Sequence, residues 1–390
     1  MRLRLSTEDE RFRDEVRTWL SENVPREPRP GDGEQMRDFD LEWQRRQYEG
    51  GWAGINWPKE FDGLGLGLVQ QMIWYEEYAR CQAPHTGTCF VGLNFGGPTL
   101  MRCGSRDLCE RHLGPILRGE VIWCQGFSEP NAGSDLASLR TSGEVRGSDI
   151  FVNGQKIWTS YAHLADFQIL LIRTEAGSKR HRGLTMVVCD MKSSGVEARP
   201  IQTMAGDRHF CEVFYDDVLI RPENVIGVVG EGWRVALTTL SFERGSAFMA
   251  DQVALARKVT DLIALARERS GPEGSRRAIE DDEISRELAL LKAETAALRS
   301  MTYANVSRTM QSGIPGPEGS IIKHYYAELS QRLHRLAHRI IGVDALTFRY
   351  GDSGWIHDYY YSYASTIGGG TSEIQREIIA DRVLELPRTR

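Results

Sequence analysis

The sequence predicts an α+β fold of several domains, because the spacing of apolar residues changes twice along the chain. From about Thr7 to Gly119 they recur at helical intervals, and from about Val121 to Ile226 they form short runs bounded by turn residues. After Gly230-Glu231-Gly232 helical spacing returns over longer stretches. Helices, then strands, then helices is not the alternation of a doubly wound sheet. The expected division is a helical domain over 1–120, a β-domain over 121–230 and a second helical domain over 231–390.

In the first region, Glu8 to Leu20 places Phe12, Val16, Trp19 and Leu20 on one helical face. The turn-rich Trp57-Pro58-Lys59-Glu60-Phe61-Asp62-Gly63 separates it from a helical run that starts near Leu68. Gly63-Leu64-Gly65-Leu66-Gly67 superficially matches a dinucleotide fingerprint, but it lacks the third glycine spacing and a preceding strand. In the middle region, Ile150-Phe151-Val152 and Gln155-Lys156-Ile157-Trp158 flank Asn153-Gly154, a strong hairpin signal. Phe167 to Ile172, Leu184 to Cys189 and Cys211 to Ile220 are further candidate strands. In the last region Trp233 to Glu268, Asp282 to Gln311 and Glu318 to Phe348 have the length of bundle members. A final helix from Ser372 to about Leu384 opens on Ser372-x-x-Gln375, a capping box.

At 390 residues the chain can bury a large core without staples. A net charge of −6 gives no reason to expect a nucleic-acid partner, and the arginines between Arg332 and Arg339 alternate with Leu and Ile as on a solvated helix face. No apolar run is long enough for a membrane span, and the N-terminus lacks a signal-peptide core. The seven cysteines (81, 89, 103, 109, 124, 189 and 211) show no CxxC pair or metal-ligand spacing. They read as reduced thiols, so a cytoplasmic location and no metal site are expected.

Two groups of residues can carry chemistry. Ser128 to Asp135 must be a loop, since Pro130, Asn131 and Gly133 break regular structure. Its N–H groups and hydroxyls could meet a flat polar ligand or a phosphate, or the loop could simply lead into the β-region. Glu243-Arg244 lies on a helix beside Phe242, Leu240 and Leu237. Such a pair is either a solvated surface feature or a carboxylate held in apolar surroundings.

Gly126-Phe127-Ser128-Glu129-Pro130-Asn131-Ala132-Gly133-Ser134-Asp135, with Asn153-Gly154-Gln155-Lys156-Ile157-Trp158-Thr159-Ser160 downstream, resembles the flavin-binding segments of the acyl-CoA dehydrogenase family. The C-terminal TIGGGTSEIQREIIADRVLELPR resembles the end of the same family. The resemblance covers nearly the whole chain. It implies an N-terminal α-helical domain, a central β-barrel-like domain and a C-terminal four-helix bundle. It further implies FAD as cofactor and an acyl-CoA thioester as substrate. By the same resemblance Gln125 and Ser128 contact the flavin, Gly133 and Ser134 approach the phosphates, Trp158 packs on the ring and Ser160 lies near its N5 edge. Thr371 and Glu373 match positions near the adenine.

The chemistry needs a carboxylate to remove the α-proton and a flavin to accept the β-hydrogen. Many family members carry that carboxylate just before the Gly-Thr of the C-terminal segment, where this chain has Gly369 within Gly368-Gly369-Gly370-Thr371. Relatives similar to isovaleryl- and long-chain-type enzymes place it on a bundle helix before an Arg. The resemblance therefore implies Glu243 as base and Arg244 as its neighbour at the substrate.

Two segments depart from the family. Arg267 and Arg269 are only candidates for the arginine that reaches the FAD pyrophosphate of a neighbouring subunit, and Ile340-Ile341-Gly342-Val343-Asp344-Ala345 keeps only Gly342 of a glycine-rich motif. The implied partners are an electron-transfer flavoprotein and further subunits, as a homodimer, a homotetramer or a heterotetramer with a second acyl-CoA dehydrogenase chain. Alternatives on the same scaffold are a flavin monooxygenase or nitroalkane-type oxidase, and a non-catalytic subunit.

Overall fold

The computed structural model describes residues 5–242, 248–271, 274, 276–312, 316–349 and 353–387. Five helices come first: α1 (Thr7–Asn23), α2 (Gly33–Glu49), α3 (Leu68–Arg80), α4 (Gly97–Cys103) and α5 (Arg106–Leu117). Helix α1 starts at Ser6, whose hydroxyl accepts from the Asp9 N–H at 3.0 Å while Asp9 accepts from the Ser6 N–H at 3.2 Å. Val16 and Leu20 of α1 are fully buried against Trp43, Trp52 and Trp74. The Gly63–Gly67 segment is an irregular lead into α3. A Cβ on Gly63 would lie 2.3 Å from the carbonyl oxygen of Trp57, so packing rather than a nucleotide accounts for that glycine.

The middle of the chain forms one eight-stranded sheet: β1 (Trp123–Gly126), β2 (Ser142–Arg146), β3 (Asp149–Ser160), β4 (Phe167–Arg173), β5 (Leu184–Asp190), β6 (Val196–Ile201), β7 (Phe210–Ile220) and β8 (Val225–Ile226). The order is β6-β7-β3-β2-β4-β5-β8, with β1 parallel to β4. Strands β2 and β4 share a single register pair, Ser142 with Arg173, so the sheet bends there. Its two halves close over a common core that includes Val152, Val213 and Tyr215 from one side and Leu170, Ile172 and Val187 from the other. The opposite faces of β4 and β5 pack with α4, α5 and a sixth helix, α6 (Gly232–Phe242). Burial on both faces explains why these two strands read as continuous apolar runs.

Asn153-Gly154 is not a hairpin turn. Strand β3 runs straight through it, and the β2–β3 turn lies at Gly147, with φ +68°. The dipeptide instead occupies an irregularity in the β3–β7 ladder, where Asn153 accepts from the Asp217 N–H at 2.9 Å. The segment Trp233–Glu268 also differs from expectation. Helix α6 packs on β5 and α4 rather than in the bundle, and Thr99 and Thr239 hydroxyls meet at 2.9 Å in the buried contact.

The C-terminal part consists of α7 (Phe248–Glu268), α8 (Asp282–Ser312), α9 (Gly319–Ile341), α10 (Trp355–Ser362) and α11 (Ser372–Ile378). Leu255, Val259, Leu262 and Ala266 of α7 meet Ile284, Leu288 and Leu291 of α8 and Leu329, Leu333, Leu336 and Ile340 of α9. Each set follows the i, i+3, i+4, i+7 stripe of a bundle helix. Helices α10 and α11 pack on α9 and complete the bundle. The α9 arginines do not simply face water: Arg332 pairs with Glu294, and Arg339 with Glu283 and Glu287, all on α8. Among the described residues no helix is long and apolar enough to cross a membrane.

Candidate active site

The first functional segment leaves the sheet at the end of β1. Gly126 is required there, because a Cβ would lie 2.7 Å from the Gln168 side chain, which itself accepts from the Tyr215 hydroxyl at 2.5 Å. The chain then enters the loop that begins at Phe127 and is locked by one carboxylate. Glu129 accepts from the Arg140 N–H at 2.6 Å, the Thr141 N–H at 2.8 Å and the Lys156 ammonium at 2.9 Å. Lys156, on β3 and fully buried, also donates to the Phe127 carbonyl at 2.9 Å. The Ile157 N–H donates to the Ser128 carbonyl at 2.9 Å. The two segments that resemble flavin-binding sequences are thus held side by side.

Burial pulls the Lys156 ammonium down to about 8, against the pull of Glu129. Burial alone would raise the Glu129 carboxyl, but Lys156 and the donated hydrogen bonds outweigh it and hold it below its ordinary value. The pair is therefore ionised near neutral pH. Neither residue stands out in the sequence. Their only signal is that one opposite charge lies in each of the two segments.

The aromatic member of the site has unusual geometry. Trp158 has φ +60°, sits where the β3–β7 register shifts between Lys156 and Thr159, and leaves 57% of its surface exposed. A bulky residue in the left-handed region costs on the order of 1–3 kcal/mol and persists only where its surroundings impose it. Its ring meets Phe210 edge-on at 6.1 Å. The amide nitrogen of Gln125 is buried without a hydrogen-bond partner. The Ser128 and Ser160 hydroxyls, both half-buried, make no hydrogen bond among the described residues. A free amide donor, two free hydroxyls and an open aromatic face suit a planar ring with polar edges, so these residues fit a flavin. Gly133 and Ser134 lie farther along the same loop and are exposed.

The other expected site residues are not brought to this group. Thr371 is the N-cap of α11, its hydroxyl accepting from the Ile374 N–H at 3.2 Å. The expected Ser372/Gln375 box is therefore displaced by one residue: Ser372 donates to Glu328 at 2.8 Å, and the Gln375 amide donates to the Gly369 carbonyl at 3.0 Å. Glu373 is exposed in the first turn of α11, where its own N–H and Thr371 hold its carboxyl below the ordinary value. Gly369 and Gly370 have φ +63° and +84°, a backbone path that favours glycine. Arg269 pairs with Asp344. Glu243 and Arg244 lie outside the described residues.

Comparison with known proteins gives a consistent result. Residues 6–120, 124–218 and 230–384 match the family descriptions of the acyl-CoA dehydrogenase N-terminal, middle and C-terminal domains, respectively. The chain is 38% identical over 387 residues to acyl-CoA dehydrogenase IpdE1 of Mycobacterium tuberculosis, covering 97% of this chain and 98% of that protein. Among solved structures it resembles the Tcur3481-Tcur3483 steroid ACAD, with a TM-score of 0.85, 28% identity and complete coverage of both chains. It also resembles the ChsE4-ChsE5 complex of Mycobacterium tuberculosis, with a TM-score of 0.82, 29% identity and complete coverage of both chains.

Proposed function

The chain belongs to the acyl-CoA dehydrogenase family, and from that premise we propose that it desaturates an acyl-CoA thioester between Cα and Cβ to the trans-2-enoyl-CoA. It is an FAD-dependent oxidoreductase. The observation that carries the proposal is the exposed, left-handed Trp158 held one residue from the Ile157–Ser128 hydrogen bond, with the unpartnered Gln125 amide on the segment that carries Ser128.

In this reading Gln125, Ser128 and Ser160 hold the polar edge of the flavin ring and Trp158 covers part of it. Gly133 and Ser134 lie toward the phosphates, and Thr371 and Glu373 toward the adenine. Bound FAD supplies the two-electron acceptor that takes the β-hydrogen as hydride. Glu243 removes the α-proton, with Arg244 beside it at the substrate. Glycine at 369 leaves that position without a carboxylate, so the base must come from elsewhere in the chain. A base shielded from water has its pKa raised toward neutrality, where proton abstraction is efficient.

Glu243→Gln tests this directly. The variant is expected to bind FAD and acyl-CoA but to reduce the flavin at least ~10²-fold more slowly under anaerobic conditions, a typical contribution of a general base. Bleaching at the wild-type rate would remove Glu243 from the mechanism. The electrons are proposed to leave to an electron-transfer flavoprotein.

A second reading concerns assembly. Two of the similar structures, the Tcur3481-Tcur3483 steroid ACAD and the ChsE4-ChsE5 complex, pair two different names, and the eroded Ile340–Ala345 segment would weaken one cofactor contact in an oligomer. A heterotetramer with a second acyl-CoA dehydrogenase chain follows. Co-expression with candidate partner chains, read as FAD bound per chain, tests it against a homo-oligomer.

A further inference from the structure

Trp158 is held from the helical bundle as well as from its own sheet. The β3–β7 ladder resumes immediately after it, with Thr159 opposite Cys211 and Ser160 opposite Phe210. The Trp158 ring meets Phe210 edge-on at 6.1 Å. Where Phe210 sits depends on the segment that leads into β7, residues 202–209, which has no regular structure of its own. Within it the Thr203 N–H donates to the Asp207 carbonyl at 2.8 Å, and the Gly206 N–H to the Thr203 carbonyl at 3.0 Å.

Two other elements fix this segment. From the end of β3, the Tyr161 N–H donates to the His209 carbonyl at 2.6 Å. From the bundle, α10 presents His357 and Tyr361, one helical turn apart, with rings nearly parallel at 6.2 Å. The His357 Nε2 lies 3.1 and 3.0 Å from the two Asp207 carboxylate oxygens. Tyr361 lies 5.5 Å from His209, and His209 4.1 Å from Phe210. The Nε2 of His209 is buried without a hydrogen-bond partner, so these aromatic contacts place its ring.

Helix α10 is itself anchored. It packs on α9, its Asp358 pairs with Lys258 of α7, and Lys258 lies 5.3 Å from the Trp355 ring centroid. The His357 Nδ1 reaches Asp358 at 3.1 Å, so the imidazole bridges one carboxylate of the β-domain and one of the bundle. A left-handed tryptophan with most of its surface open persists only where its neighbours impose that conformation. The bundle reaches the aromatic neighbour of Trp158 by two routes, the His357–Asp207 ion pair and the Tyr361–His209 ring contact.

We propose that His357 and Tyr361 are positioning residues for the dehydrogenation: acting through Asp207, His209 and Phe210, they set the Trp158 ring where the flavin packs on it. The inference rests on the reading of Trp158 as a flavin contact. A displaced indole would loosen the cofactor and shift it against the substrate, and small misplacements of reacting groups are costly.

An indole packed on an isoalloxazine quenches its fluorescence, which makes Trp158 a reporter of its own position. The test compares FAD-loaded wild type with Trp158→Leu, His357→Gln and the double variant. It reads the fluorescence of bound flavin and the rate of FAD release on dilution. Trp158→Leu is expected to brighten the bound flavin and to speed FAD release ~2–10-fold, the loss of about one aromatic contact. His357→Gln should move both readouts the same way, and adding it to Trp158→Leu should change neither further, because its effect passes through Trp158. Tyr361→Leu should show a smaller shift with the same non-additivity. A merely structural His357 would add its effect in the Trp158→Leu background. That result overturns the proposal and leaves the flavin contact standing, as does a His357→Gln protein that behaves like wild type. Asp207→Asn takes the same place in the cycle where His357→Gln does not hold FAD. Bound flavin unaffected by Trp158→Leu overturns the flavin contact and the positioning role together.

Discussion

Lys156 has no exposed surface, and its ammonium meets the Glu129 carboxylate and the Phe127 carbonyl in the same buried space. Removing one member of such a pair leaves the other charged and desolvated, at a cost of about 3–5 kcal/mol. Lys156→Met is therefore expected to lower stability to urea by that order. Because the pair joins the loop after β1 to β3, it should also lower FAD occupancy. Loss of stability with full FAD retention would show that the pair holds the domain but not the site. Trp158 illustrates a second kind of residue-scale information. Its identity is plain in the sequence, but its left-handed backbone and outward ring depend on the register shift against β7.

Helix α11 shows how a cap can be assigned to the wrong residue by pattern alone. Thr371 and Ser372 are both good caps, and Gln375 completes a box only with Ser372. The three glycines before them decide the matter. Left-handed Gly369 and Gly370 bring their carbonyls under Gln375 and Lys323, so that Gln375 is already engaged and Thr371 begins the helix. Thr371→Val should cost about 1 kcal/mol, whereas Ser372→Ala should lose the Glu328 contact without uncapping the helix. Chemical denaturation of the two variants separates these outcomes. The β-elements give a similar lesson. Asn153-Gly154 has hairpin chemistry, but residues 149–160 must pair with β7 as one long strand, and a local turn would break that ladder.

At the level of the whole molecule, one ionic cluster ties the β-domain to the bundle. His357 of α10 reaches Asp207 in the loop before β7 at 3.0 Å and Asp358 at 3.1 Å, and Asp358 pairs with Lys258 of α7. Hydrogen bonds to Asp207 and Asp358 raise the His357 imidazole to about 9. Burial opposes ionisation of Asp358, but His357 and Lys258 overcome it and bring its carboxyl to about 2. A raised histidine contributes stability that is complete below its ordinary value of 6.5 and fades as pH rises through about 9. The lowered Asp358 contributes above its ordinary 3.8, and that part is lost as pH falls through about 2. Between pH 6.5 and 9 the wild type should lose on the order of 1 kcal/mol from this cluster, the partial exposure of His357 being allowed for. Thermal melts of His357→Gln should lack that component, and an unchanged slope would place the pH dependence elsewhere.

By itself the sequence determined the order of helical, β and helical regions, the family and the cofactor class. Those features are written in periodicity and in short contiguous motifs, such as the Gly126–Asp135 segment on which the cofactor assignment first rests. Only the tertiary structure decided which residues meet. It paired Glu129 with Lys156, moved α6 onto β5 and turned Trp158 outward. These relations join positions far apart in the chain, and burial fixes their energetics. The dielectric around a carboxylate and the choice among competing hydrogen-bond partners are properties of packed neighbours, which no local run of residues can encode.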